Sequence, residues 1–311
     1  MVVTIPGRHT IALVAALPDD LRTALDARHD CVEHRPPARL PGVHVAVTTG
    51  MAGADTALFD SLPDLALLVS QGAGLDRIDT IAAERRGIAV AHTPDVFTQD
   101  VAEYAVALML AALRRVVSAD RFVRAGAWPT TRMRPETRVA GSRLGIVGLG
   151  RIGTAIAQRA AGLGMTVGWH GPRAKPDVPW PYFPSLIDLA DWADVLILAT
   201  PGGHATAAMV DAAVLDALGS TGWLVNVARG SVVDEPALLA ALEGGSIAGA
   251  ALDVFAVEPG LDPRFAALDN VVLSPHYASI TAAARQEVIA TILAAIDDWH
   301  DCPTGSAKPL A

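Results

Sequence analysis

The sequence predicts an α/β protein of two domains, each a parallel sheet covered by helices, and three observations carry that prediction. The chain has 311 residues, 51% of them apolar, which is material for two hydrophobic cores. Short β-branched apolar runs alternate with helix-patterned segments, as they do when parallel strands are joined by helical crossovers. The alternation breaks near Pro94 and restarts at Leu144, so it occurs twice.

In order along the chain, strands are expected at Ile11 to Leu17, Val43 to Thr48, Leu65 to Val69 and Ile88 to Ala91, with a helix over Leu21 to Ala27. Pro18-Asp19-Asp20 is a helix-start signal after the first apolar run, which is strand-length and too short to be read as a secretory leader. Thr93-Pro94 interrupts the rhythm, and one long apolar helix is expected from about Val101 to Val117. The second series of strands falls at Leu144 to Val147, Thr166 to Trp169, Val195 to Ala199, Trp223 to Val227, Gly249 to Leu252 and Val271 to Leu273. A last helix, Thr281 to Trp299, is expected to return to the first domain. The expected domains are therefore residues 1–94 plus 281–311, and residues 95–280. No repeat of solenoid period is present.

Composition excludes several function classes. A net charge of -9 without a basic run argues against a nucleic-acid partner, because phosphate backbones need clustered Lys and Arg. Two cysteines, Cys31 and Cys302, supply neither a disulfide framework nor metal-ligand pairs, so no metal is expected and a reducing cytoplasm is the expected location. The longest apolar run, around Ala105 to Leu113, is well short of the roughly 20 residues that span a bilayer.

Gly148-Leu149-Gly150-Arg151-Ile152-Gly153 stands directly between the apolar strand ending at Val147 and the helix-patterned Thr154 to Leu163. That context is what a dinucleotide-binding turn requires. Gly148 permits the tight turn, Gly150 lets backbone approach a pyrophosphate, and Gly153 lets the helix pack closely on the sheet. The helix start then offers free N–H groups and a positive dipole end to the phosphates. The same glycines also serve tight packing alone. After the next strand, His170-Gly171-Pro172-Arg173-Ala174-Lys175 carries no carboxylate to bind a ribose 2′-hydroxyl, and instead offers His170, Arg173 and Lys175 to a 2′-phosphate. NADPH is the expected cofactor, with NADH as the alternative.

Further motifs occur in order: Val69-Ser70-Gln71-Gly72-Ala73-Gly74-Leu75-Asp76-Arg77-Ile78-Asp79, Val101-Ala102-Glu103, Asn226-Val227-Ala228-Arg229-Gly230, Asp253-Val254-Phe255-Ala256-Val257-Glu258-Pro259 and Ser274-Pro275-His276. With the glycine loop they resemble, over nearly the whole chain, the D-isomer-specific 2-hydroxyacid dehydrogenases, and within them the hydroxypyruvate, glyoxylate and 2-ketogluconate reductases. The resemblance implies two Rossmann-like domains, a flavodoxin-like substrate domain and a dinucleotide-binding domain, with the active site in a cleft whose closure excludes water. It also implies a homodimer built on the helix after Pro94 and the segment through Trp128. The apolar Ala105 to Leu113 face suits that interface, or equally the interior of one subunit.

The resemblance implies that His276 is the acid and base, that Glu258 hydrogen-bonds it, and that Arg229 holds the substrate. Hydride delivery to a keto carbon builds charge on oxygen, which an imidazolium neutralises by proton transfer near neutral pH. A neighbouring carboxylate favours the imidazolium and orients its ring. Arg229 can bridge the substrate carboxylate and carbonyl with a fixed charge. Singly these residues read as a loop histidine, a solvated turn and an anion contact; together they follow three strand ends, where ligands gather in open α/β sheets. The small Gly72-Ala73-Gly74 turn can form a carboxylate nest, which the resemblance assigns to Ala73 and Gly74, with Gln71 touching the substrate carboxylate or its 3-position. In the family pattern Asp253 meets the nicotinamide carboxamide, and Thr200-Pro201 with Val227 passes its ribose; Asp253 is equally suited to capping a helix. Two other functions share these features: a dinucleotide-sensing regulatory protein, and a reductase of aromatic 2-keto acids.

Overall fold

The computed structural model describes residues 8–301. The chain divides into two units, the first holding the described residues up to Phe97 and from Thr281 onward, the second Thr98–Ile280. Cys302 and the outermost ends of the expected first domain lie outside the described residues.

The first unit begins β1 (Thr10–Leu13), α1 (Asp19–Arg28), β2 (Asp30–Glu33), β3 (Val45–Thr49), α2 (Thr56–Ser61), β4 (Leu67–Gln71), α3 (Thr80–Arg85) and β5 (Ala89–His92). Its five strands lie in the order β2-β1-β3-β4-β5, all parallel. Alternation along each strand sends side chains to opposite faces. Ile11, Leu13, Val45 and Val47 pack with Leu21 and Leu25 of α1, while Ala12, Ala46 and Leu68 meet Leu58, Phe59 and Leu62 around α2. Asp55 and Asp79 cap α2 and α3 by accepting from Leu58 N and Ala82 N. The edge strand β2 was absent from the sequence prediction. It is four residues long, begins and ends on a carboxylate, and is only partly buried, so it carries no apolar run.

The second unit runs α4 (Thr98–Leu113), α5 (Val116–Arg124), β6 (Arg143–Val147), α6 (Arg151–Gly162), β7 (Thr166–His170), α7 (Leu186–Trp192), β8 (Val195–Leu198), α8 (Ala212–Leu218), β9 (Trp223–Asn226), α9 (Glu235–Gly244), β10 (Gly249–Leu252), α10 (Pro263–Ala267) and β11 (Val271–Leu273). All six expected strands form, in the parallel order β11-β10-β9-β8-β6-β7. Beyond β7 the sheet continues as a single parallel bridge between Trp169 and Tyr182. Strand order reverses at β6, whose neighbours are β7 and β8, so the turn leaving β6 opens at the switch point where such sheets bind ligands.

The long helix expected over Val101 to Val117 ends at Leu113, and α5 restarts at Val116. Arg115 between them is left-handed, with φ 51°; its side chain donates to Asp269 O at 2.9 Å and lies over the Trp223 ring at 5.3 Å. Those tethers hold the break. The Ala105–Leu113 face is interior: Ala105, Leu108, Met109, Ala112 and Leu113 are buried, and α4 packs against α6. α5, in contrast, buries none of its residues. The last helix, α11 (Ala282–Asp301), belongs to the first unit, where Val288, Ile292 and Ile296 pack with Ile11, Leu67 and Val69. No helix among the described residues is long and apolar enough to cross a membrane. No group of three His, Cys, Asp or Glu side chains among them is placed to hold a metal ion.

Candidate active site

The turn from β6 into α6 has the shape a dinucleotide needs. Gly148 has φ +94°, and a Cβ there would lie 2.8 Å from Ala199 O and 2.9 Å from Thr200 N. On Gly153 a Cβ would fall 2.0 Å from Gly148 O, so that position accepts only glycine without moving backbone. Gly150 caps α6 without a side-chain hydrogen bond, and the space a Cβ would occupy there is open. Arg151 is exposed and Ile152 partly buried in the first turn of α6. An uncapped twelve-residue helix facing an open space is suited to a pyrophosphate.

Around that turn, His170 O accepts from Gly148 N at 2.9 Å, and the His170 ring places Nδ1 2.9 Å from Phe183 O. A carbonyl only accepts, so Nδ1 carries the proton and Nε2 is the free nitrogen. Arg173 is exposed in the bend after β7, while Lys175 donates to Leu149 O at 2.5 Å, which draws it onto the glycine turn. Thr200 and Pro201 follow β8, and Thr206 Oγ1 donates to Pro201 O at 2.7 Å. Val227 is buried just beyond β9.

The loop after β9 is shaped by Asn226, which is buried. Its Oδ1 accepts from Ala228 N and its Nδ2 donates to Arg229 O, both at 3.0 Å, so one side chain closes the turn that presents Arg229. Arg229 Nη1 donates to Ala228 O at 2.7 Å. Gly230 then lies against the backbone of Phe255, and the loop after β10 is held by Glu235, whose Oε2 accepts from Ala256 N at 2.8 Å.

Glu258 turns back within that loop. Its Oε1 accepts from Phe255 N at 2.8 Å, and its Oε2 lies 2.7 Å from His276 Nδ1. Burial alone would push the Glu258 carboxyl up. Hydrogen bonds from His276 and Phe255, with the nearby charges of His276 and Arg229, outweigh burial and hold it below the usual carboxylate range. With Nδ1 donating to a carboxylate, the ring nitrogen available to a substrate is Nε2. The Glu258 side chain is 11% exposed and that of His276 34%, so the histidine is the accessible member.

His276 has φ 53°, an uncommon backbone for a residue with a side chain. Asp253 stabilises that turn. Its carbonyl accepts from His276 N at 2.7 Å; its carboxylate accepts from Tyr277 N at 2.8 Å, Ala278 N at 3.0 Å and Ser274 Oγ. It is not a helix cap; it ties the strand end after β10 to the loop after β11.

In the first unit, Gln71 ends β4, and Ala73 and Gly74 lie in the bend before α3. Thr93 Oγ1 accepts from Gly72 N at 3.1 Å, and His92 Nδ1 lies 3.0 Å from Ala73 O. The structure thus brings together His276, Glu258 and the Arg229 loop, and separately Gly148 to Gly153 with Thr200 and His170. Asn226, Glu235, His92, Thr93 and the loop-holding role of Asp253 were missed in the sequence. Only Asn226 left a signal, an Asn two residues before the backbone N–H that it bonds.

Comparison with known proteins fits this geometry. Residues 106–278 match the family model described as D-isomer specific 2-hydroxyacid dehydrogenase, NAD binding domain. The chain is 46% identical over 245 residues to a 2-ketogluconate reductase of Gluconobacter oxydans, covering 79% of each. It is 44% identical over 243 residues to a glyoxylate/hydroxypyruvate reductase of Arabidopsis thaliana, covering 78% of each. Its structure is similar to that of an NADPH-dependent glyoxylate/hydroxypyruvate reductase from Sinorhizobium meliloti in complex with NADP and malonate. The TM-score is 0.89 at 33% identity, over 98% of this chain and 96% of that one.

Proposed function

Because the chain belongs to the D-isomer-specific 2-hydroxyacid dehydrogenase family, and so is an NAD(P)-binding oxidoreductase, we propose that it reduces a small 2-keto acid to the D-2-hydroxy acid. The substrate is hydroxypyruvate, glyoxylate or 2-ketogluconate, and NADPH is the preferred reductant. The observation that carries this reading is the 2.7 Å pair of His276 and Glu258 beside the Arg229 loop.

A bound dihydronicotinamide supplies the hydride. His276 gives the proton on Nε2 to the carbonyl oxygen as charge develops there, and Glu258 holds the ring and balances its charge. Arg229 binds the substrate carboxylate and polarises the carbonyl. In the first unit, which serves for substrate binding, the turn of Ala73 and Gly74 offers N–H groups suited to a carboxylate, with Gln71 next to it in sequence. The second unit holds the dinucleotide: Gly148, Gly150, Arg151, Ile152 and Gly153 receive the pyrophosphate, and Thr200, Pro201 and Val227 border the ribose. Asp253 retains one Oδ2 lone pair for a carboxamide donor, and His170 with Arg173 selects a 2′-phosphate.

The protein works in the cytoplasm as a homodimer, in keeping with its two cysteines and with α5, which leaves Val116, Val117 and Val123 exposed, as is Trp128 after it in sequence. Sedimentation tests the dimer, which Val123→Glu should dissociate. The activity is tested by the loss of nicotinamide absorbance with hydroxypyruvate, glyoxylate, 2-ketogluconate and phenylpyruvate, each with NADPH and NADH. Oxidation with a hydroxylated keto acid and NADPH supports the reading; no oxidation with any pair, in protein that binds dinucleotide, makes it a sensor.

A further inference from the structure

Behind the turn that presents His276, a chain of hydrogen bonds runs from its anchor to the surface of α4. Asp253 is buried, 1% exposed, and its Oδ1 accepts from Ser274 Oγ as well as from Tyr277 N. Ser274, also buried, has its hydroxyl oxygen 2.9 Å from Tyr104 Oη. Since the Ser274 proton is directed at a carboxylate, Tyr104 is the donor in that contact. The Tyr104 ring also lies 5.9 Å from the Tyr277 ring, next to His276 in sequence.

We infer that Tyr104 is a positioning residue for the reduction: through Ser274 it orients the Asp253 carboxylate, and through Asp253 it holds His276 in its left-handed turn. The inference rests on the reading of His276 as the proton donor. The physical argument has two parts. A left-handed backbone at a histidine persists only if its surroundings over-determine it, and here the Asp253 carbonyl and both carboxylate oxygens hold three consecutive N–H groups, from His276 to Ala278. The carboxylate can do this only in one rotation about its own bonds. Ser274 selects that rotation from one side, and Tyr104 in turn selects the Ser274 hydroxyl rotamer, which otherwise has other directions open to it. Tyr104 comes from α4, whose Ala102, Ala105, Leu108, Met109, Ala112 and Leu113 are buried, so the chain of hydrogen bonds ties the His276 loop to a packed helix of the second unit.

Removing the Tyr104 hydroxyl should therefore disturb proton delivery more than binding. For Tyr104→Phe we expect kcat for keto-acid reduction to fall about threefold to tenfold, with the NADPH dissociation constant and the keto-acid KM within twofold of the parent. The solvent deuterium isotope effect on kcat should rise as proton transfer becomes slower. Ser274→Ala should do the same more strongly, and Ser274→Thr, which keeps a hydroxyl, should restore most of the rate. A Tyr104→Phe enzyme with unchanged kcat and isotope effect overturns the inference, as does a loss confined to NADPH binding, or Ser274→Thr as slow as Ser274→Ala. His276→Ala in the same assay separates the two failures. If His276→Ala keeps full turnover, the reading of the site falls. If it is inactive while Tyr104→Phe is normal, only the positioning role falls.

Discussion

A Cβ on Gly230 would lie 1.9 Å from the carbonyl carbon of Phe255, so the loop that presents Arg229 and the loop that presents Glu258 touch through bare backbone. The two loops follow different strands, β9 and β10, and the contact fixes their separation. Arg229 is thereby near enough for its charge to lower the pKa of Glu258. Gly230→Ala must push these backbones apart. We expect a loss of about 1–3 kcal/mol in stability, typical of overpacking, with a larger loss in kcat/KM for the keto acid. Denaturant titration and initial rates measure the two; wild-type values for both would show that the loops yield freely.

His276→Ala removes the proposed proton donor and leaves the turn between β6 and α6 untouched. Keto-acid reduction should fall by orders of magnitude while the dinucleotide dissociation constant stays within about twofold. Unchanged turnover would take His276 out of the mechanism.

Glu258→Gln keeps the shape of the side chain and an acceptor for Phe255 N, and loses the charge that faces the imidazolium. Turnover should fall about 100-fold. The folded carboxyl titrates below its unfolded value, so its contribution to stability is complete above the ordinary carboxylate range, about pH 4.3, and is lost as pH falls through the folded pKa. The parent should therefore lose stability more steeply than Glu258→Gln on acidification below that range. Denaturation followed from pH 6 to pH 3 tests this, and parallel curves would refute it.

Arg173 is exposed after β7 in the segment that begins at His170, and residues 170–175 carry no carboxylate. Arg173→Ala should raise the KM for NADPH about tenfold, the equivalent of one lost charge-assisted contact, and change that for NADH little. Equal effects on the two cofactors would remove Arg173 from 2′-phosphate selection.

Asp194 accepts from Arg143 Nη2 at 2.8 Å and from Arg143 N at 2.8 Å, joining the starts of β6 and β8. The side-chain hydrogen bond from Arg143, opposed by burial and helped by the backbone bond, holds the Asp194 carboxyl below its ordinary value. Its contribution is present above that value and lost as pH falls through the folded pKa. Both side chains are more than a third exposed, so the solvent-screened pair is worth about 0–1 kcal/mol. Asp194→Asn should lower Tm by a few degrees at most near neutral pH, with the difference shrinking as pH falls below the ordinary Asp value of about 3.9. A larger loss at neutral pH would mean that the backbone bond, not the charge, dominates.

Periodicity and turn chemistry are local, and what they report was legible in the sequence by itself: the two parallel α/β units, ten of the eleven strands among the described residues, and the glycine turn after β6. The family motifs supplied the assignment of His276, Glu258 and Arg229. What depends on contacts between distant segments was decided only by the tertiary structure. The edge strand β2 forms because β1 offers it a partner, not because Asp30 to Glu33 favour a strand. The long helix breaks because Arg115 finds Asp269 and Trp223, more than a hundred residues away in sequence. Asp253 reads equally as a helix cap until β10 and β11 pair and set it beneath the His276 turn. Tyr104 and Ser274 are 170 residues apart, and no pattern along the chain records that one hydroxyl meets the other.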